Sequence, residues 1–127
     1  MSTRFRSFLP ARAVFPRISK IVYDDGILQV DGHDLEGLLR VRVLFPDPLF
    51  VRISDEGVRL RLQQEIGADQ SFIFTDEDSP LLAWVAEEGL HTREMQQARH
   101  FIIVIGEEIV DVVSFSGPEV KDYPLCD

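Results

Sequence analysis

Apolar positions are densest between His100 and Phe115, where two β-branched runs, Phe101–Ile105 and Ile109–Val113, flank a Gly-Glu-Glu connection. This spacing predicts a β-hairpin with a glycine-containing loop. Both arms are apolar at consecutive rather than alternate positions, so at least the first is expected in mid-sheet with material packed on both faces. Upstream, Ile18–Tyr23 and Ile27–Val30 bracket Asp24-Asp25-Gly26, a second hairpin signal, and Asp31-Gly32-His33-Asp34 reads as the next turn. Leu38–Phe45 sets Leu39, Val41, Val43 and Phe45 against Arg40, Arg42 and Leu44, as a strand with one wetter face does. Pro46-Asp47-Pro48 stops it, and Leu49–Ile53 supplies a fourth strand.

The period then changes. Ser54-Asp55-Glu56 predicts a helix start, with Ser54 as N-cap and two carboxylates in the first turn; Val58, Leu62 and Ile66 recur every four residues, and Gly67 is a natural stop. Val58 to Leu62 also alternates as a strand would, and Gly57 weakens a first helical turn, but the two end signals favour helix. Ser71–Thr75 is a short strand candidate before the acidic loop Asp76-Glu77-Asp78. Ser79-Pro80 opens a second helix, serine as cap and proline at the first position, with Leu81, Trp84 and Val85 on one face and Glu87 and Glu88 ahead of Gly89. His91–Arg99 is a polar connection into the central hairpin. The expected architecture is α+β: one domain spanning residues 1–127, with a largely antiparallel sheet of about six strands and two helices packed on one face. Residues 1–17 form a basic irregular arm, 18–115 the core and 116–127 a loosely held tail.

Composition adds a class and a charge. A chain of 127 residues that is 45% apolar is long enough to bury a core, and no run approaches the roughly 20 apolar residues of a membrane span. The N-terminus carries arginines but no uninterrupted apolar stretch, and one cysteine makes no internal disulfide, so a cytoplasmic location is expected. The net charge of −9 is uneven. Arg4, Arg6, Arg12, Arg17 and Lys20 face no acid in residues 1–20, which leaves 8 bases against 22 acids beyond them, a balance of −14. Such a body repels nucleic acid and anionic membranes and speeds association with a basic partner; it also simply keeps a protein soluble. The basic arm could bind phosphate, but lying across its own acidic body is the favoured reading.

No catalytic motif is legible. His33, His91 and His100 stand in unrelated turns or at a strand start without HExxH or CxxC spacing; His33-Asp34 and His91 with Glu94 offer two metal ligands each, which is too few. No cofactor is expected. Cys126 lies near the terminus with no neighbouring base, Ser114-Phe115-Ser116-Gly117 lacks the first glycine of a nucleophile elbow, and no phosphate loop appears. Asp111 is the anomaly, a carboxylate between Val110 and Val112 where burial is expected. It is either an acid of shifted pKa that acts on a substrate or contacts a partner, or, favoured here, a structural acid bound to Arg40, Arg42 or backbone amides. Trp84 is either core, the favoured reading, or an exposed interface anchor. Asp76, Glu77, Asp78, Glu87 and Glu88 bracket one helix and can form a single negative patch, the candidate partner-binding surface.

Three segments carry a resemblance: Val51-Arg52-Ile53-Ser54-Asp55-Glu56-Gly57 with Leu60, Ser79 with Leu82-Ala83-Trp84-Val85, and His100-Phe101-Ile102-Ile103 running to Ile109-Val110-Asp111-Val112-Val113-Ser114. Together, across residues 50–115, they resemble small bacterial α+β immunity proteins of interbacterial toxin systems. The resemblance implies a non-enzymatic protein that blocks the active site of a cognate toxin, and it makes Asp111 and the Asp55-Glu56-Gly57 turn recurrent structural features. It names no toxin and transfers no contact residue.

Three functions follow as expectations. The first is an immunity protein that occludes a basic toxin or effector domain through its acidic surface. The second is an adaptor or chaperone for a basic secreted effector, which would leave its partner active. The third is a small enzyme in which Asp111 and a histidine serve as acid and base, which requires His91 or His100 within hydrogen-bond reach of a carboxylate in a cleft.

Overall fold

The central hairpin of the sequence is also the centre of the fold. A computed structural model describes residues 4–8, 17–34, 39–66, 72–92 and 94–124. In it β7 (Arg99–Ile105) and β8 (Glu108–Ser114) pair antiparallel in the register Ile105↔Glu108. Gly106-Glu107 makes the two-residue turn, with Gly106 at φ +61°, where glycine carries no Cβ penalty. β7 is the third of five strands. β6 (Ile73–Asp76) and β1 (Phe5–Ser7) lie on one side of it, β8 and β5 (Phe50–Asp55) on the other, and every pairing is antiparallel.

Alternation along these strands divides the side chains between two faces. Phe101, Ile103, Ile105, Val110 and Val112 point towards a second sheet and pack on its Leu28, Val30, Val41, Val43 and Phe45. Phe101 is the pivot, edge-to-face with Phe45 at 5.3 Å and with Phe8 at 5.4 Å. The second sheet holds four antiparallel strands in the order β2 (Arg17–Asp24), β3 (Ile27–His33), β4 (Leu39–Pro46) and β9 (Glu119–Pro124). The β2–β3 turn is Asp25-Gly26, with φ of +51° and +78°, the left-handed pair that an Asp-Gly loop adopts. The other face of the central sheet is covered by α1 (Leu60–Ile66), whose Leu62 meets Phe74, Ile102 and Ile109. Beside it α2 (Pro80–Glu88) sets Leu81, Leu82 and Val85 against Ala98 and Val113.

The coarse class, α+β with mostly antiparallel sheet, agrees with the sequence reading; the layering does not. Nine strands in two sheets replace the expected single sheet of about six. Two of the extra strands come from segments expected to be irregular. β1 lies in the basic arm and β9 in the tail, paired with β4 from Leu39↔Pro124 to Leu44↔Glu119. Each is an edge strand, and neither Phe5-Arg6-Ser7 nor Glu119–Pro124 carries the apolar run that marks a strand in sequence.

The first helix also starts later than expected. β5 stays paired with β8 through Ser54↔Ile109 and Asp55↔Glu108, so both residues belong to the ladder. A 3₁₀ turn over Glu56–Val58 follows, capped by Asp55, whose Oδ1 accepts the Gly57 N–H at 2.7 Å. Val58 therefore points to solvent, while Leu62 and Ile66 keep their expected inward places. Gly67 lies outside the described residues. The turn expected at Asp31–Asp34 comes later as well, since β3 runs through Gly32 to His33 opposite Arg40. The second helix begins as the sequence reads, with Ser79 as N-cap and Pro80 inside the first turn, and its left-handed exit is taken by Leu90 and His91 rather than Gly89.

Candidate functional site

The helix-covered face of the central sheet carries a line of polar side chains among apolar ones. Strand register puts them there: Arg52 on β5 lies directly opposite Asp111 on β8, and Asp76 on β6 directly opposite His100 on β7. Direct cross-strand neighbours share a face. Asp111 is fully buried and takes three partners: Arg52 Nε donates to Oδ2 at 3.1 Å, Arg59 Nη1 to the same oxygen at 2.7 Å, and His100 Nε2 lies 2.8 Å from Oδ1. Burial pushes the Asp111 carboxyl up. Hydrogen bonds from His100 and Arg59, the Arg59 charge and the bond from Arg52 outweigh it and hold Asp111 well below the usual carboxylate range.

The remaining contacts follow from this pair. An ionised Asp111 only accepts, so Nε2 carries the hydrogen of the His100 imidazole. In a neutral imidazole Nδ1 then accepts from the Ser79 hydroxyl, 2.7 Å away, while the Ser79 oxygen accepts the Leu82 N–H at 3.0 Å as the cap of α2. Asp111, His100 and Ser79 thus form one satisfied chain from β8 through β7 to the start of α2. Asp76 Oδ2 is 3.8 Å from His100 Nδ1, outside hydrogen-bond range, and its carboxylate is instead gripped by Arg4 through Nε and Nη2 at 2.8 Å each. Arg4 also reaches Glu65 of α1 at 3.4 Å. The order aspartate, imidazole, serine is that of a hydrolase triad, but the serine oxygen already receives a helix amide and the carboxylate is shared with two guanidiniums.

Beside this network lies an open cleft of about 490 Å³, lined by Arg4, Arg52, Arg59 and His100 together with Phe50, Leu62 and Trp84. Trp84 stands edge-to-face on Phe50 at 5.4 Å and is 46% exposed, so the expectation that it is core is corrected. It falls on the outward stripe of α2, where Pro80, Ala83, Trp84, Glu87 and Glu88 are all exposed at three- and four-residue spacing.

One of the five acidic candidates, Asp76, does not share the exposed surface of the others. Glu77 and Asp78 are exposed in the turn before α2, and Glu87 and Glu88 are exposed at its far end. Asp76, only 6% exposed, is turned inward onto Arg4. Of the histidines, His100 joins Asp111; His33 sits at the end of β3 in the other sheet, and His91 follows α2 and lines a separate hollow with Ser79 and Glu94. No group of three metal-ligating side chains stands together among the described residues, and Cys126 lies outside them.

The arginines expected to neutralise Asp111 were Arg40 or Arg42; the structure uses Arg52 and Arg59 instead. Arg42 forms its own two-bond pair with the buried Asp31, at 2.9 and 3.0 Å. The misassignment follows from pairing: β8 lies beside β5, not β4, so the nearest alternating arginine is Arg52. A carboxylate among valines was the available signal, and it pointed to a cation without saying which one. Comparison with family models, curated proteins and solved structures finds no match to this chain, so the likeness of residues 50–115 to toxin-immunity proteins rests on those residues alone.

Proposed function

We propose that this protein is a binding module of the immunity type, which neutralises a bacterial toxin or effector domain by covering its active site with the acidic outer face of α2. The observation that carries this reading is Trp84, 46% exposed in mid-helix and packed edge-to-face on Phe50. Glu77 and Asp78 flank it at one end of the helix and Glu87 and Glu88 at the other, roughly 13 Å apart by the rise of a nine-residue helix. A rigid aromatic anchor inside a charged rim is the anatomy of an interface hot spot. The net charge of −9 supplies the long-range field that steers a basic partner. The resemblance of residues 50–115 supplies the class of partner.

The test is co-expression with the candidate toxin. An immunity protein restores growth, whereas an adaptor leaves the toxin active. In stopped-flow mixing, replacing Glu77, Asp78, Glu87 and Glu88 by lysine is expected to slow association at least about tenfold at low salt. Lysines at positions 87 and 88 favour the helix C-terminus while those at 77 and 78 oppose its N-terminus, so a circular-dichroism spectrum matching that of the native chain is the control for unfolding of α2. Trp84→Ala is expected to act on dissociation instead, accelerating it about thirtyfold or more. Association unchanged by the four reversals removes the acidic face from the interface.

A second reading, acid–base catalysis by His100 and Asp111, is favoured by their 2.8 Å contact beside the cleft. It requires substrate to displace either Ser79 or an arginine from the network. Turnover abolished by His100→Gln, with the fold intact, would support it.

A further inference from the structure

We propose that the cleft between β5, β7 and α2 binds small monocarboxylates carried on a flat apolar body, the arylacetates being the class that fits. The charge count of the wall comes first. Asp111 is one carboxylate shared by two guanidiniums, those of Arg52 and Arg59, while Arg4 pairs separately with Asp76 and Glu65. The Arg52–Arg59 pair therefore carries one positive charge more than the carboxylate between them, which suits a monoanion at that end of the cleft.

Arg52 holds that surplus. Asp111 engages its Nε, and its two terminal nitrogens have no protein partner among the described residues, on a side chain 43% exposed. A guanidinium fixed at Nε and open at its terminal edge presents two N–H groups as a fork, the geometry that a carboxylate accepts. The same cleft is lined by Phe50, Leu62, Leu81, Trp84 and Ile102, apolar surface on which a flat ring can stack. The volume, about 490 Å³, lies within the range of small-ligand sites and leaves room for an aromatic ring with a short acid arm. The acidic exterior opposes approach from afar, but screening confines that effect to within about 8 Å of each surface charge at physiological salt.

Trp84 is the only tryptophan of the chain, so its emission reports on this wall without labelling. Titration of the 127-residue chain with phenylacetate is expected to change Trp84 emission saturably, and phenylacetamide, its uncharged isostere, is expected to bind at least about tenfold more weakly. Arg52→Gln is expected to weaken phenylacetate about tenfold and leave phenylacetamide unchanged. Arg52→Lys keeps the charge and loses the fork, so an intermediate loss tests the site even if the glutamine variant fails to fold. No saturable response, equal binding of acid and amide, or full affinity in Arg52→Lys would overturn the proposal. A tetrapeptide ending in phenylalanine brings the same group as a partner's C-terminus: binding weaker than phenylacetate supports a free ligand, and tighter binding overturns that assignment. The proposal goes beyond partner binding and fails separately from it, because reversing Glu87 and Glu88 leaves the phenylacetate titration intact.

Discussion

Asp111 shows how one residue organises a buried face. A carboxylate taken from water among valines is tolerable only when its lone pairs are filled, and here two guanidiniums and an imidazole fill them. Replacing it by asparagine leaves Arg52 and Arg59 facing each other without a counter-charge, and we expect a loss of about 3–5 kcal/mol in urea unfolding. The pH dependence has a definite sign. The folded-state pKa is depressed, so in acid the unfolded chain binds the proton more readily. The stabilisation is complete above the ordinary carboxylate value of about 4 and drains away below it, as pH falls towards the folded value. Unfolding midpoints measured from pH 7 down to acid should show this limb in the native chain and a flatter one in Asp111→Asn. Equal slopes would remove Asp111 as its source.

At the scale of the element, α2 is fixed at its start by a single hydroxyl with two duties. Ser79 caps the helix through Leu82 N–H and fills Nδ1 of the buried His100. Ser79→Ala removes a cap worth about 1 kcal/mol and orphans a buried ring nitrogen at a further cost of about 1–3 kcal/mol. Ser79→Asp restores the cap but places a second acceptor against an acceptor nitrogen. It should therefore recover only the capping part of the loss, which urea unfolding of the two variants beside the native chain would show. The 3₁₀ turn before α1 has the opposite character. Its Val58 is exposed, and its structural task is to bring Arg59 round to Asp111 and Ser54, at 2.7 and 3.0 Å.

At the scale of the molecule, the central sheet is buried on both faces because two different layers cover it. The second sheet depends on β9 to close the β4 edge, and Val120 adds to the core from there. A chain ending at Gly117 exposes the β4 ladder, an edge open to pairing with another molecule. It is expected to elute as aggregates in size-exclusion chromatography, where the full chain gives one sharp species. Survival of a monodisperse truncated form would show that the second sheet stands on three strands.

Strand and helix identity was readable wherever the local pattern was strong. The β-branched runs marked β7 and β8, Asp25-Gly26 marked its hairpin, and Ser79-Pro80 marked α2, because each signal acts over a few residues of backbone. β1 and β9 were not readable, because a short edge strand buries few side chains and leaves little apolar pattern. The anomaly at Asp111 was visible in sequence, since a carboxylate among valines has to find a partner. Which partner it finds was not, because Arg52 lies 59 positions away and is brought alongside by the pairing of β5 with β8. His100, Ser79 and Arg59 join the same cluster from three further segments. Local backbone chemistry thus set the elements, whereas the juxtaposition of charges beside Trp84 arose only when the sheet closed and desolvation forced buried acids and bases to pair.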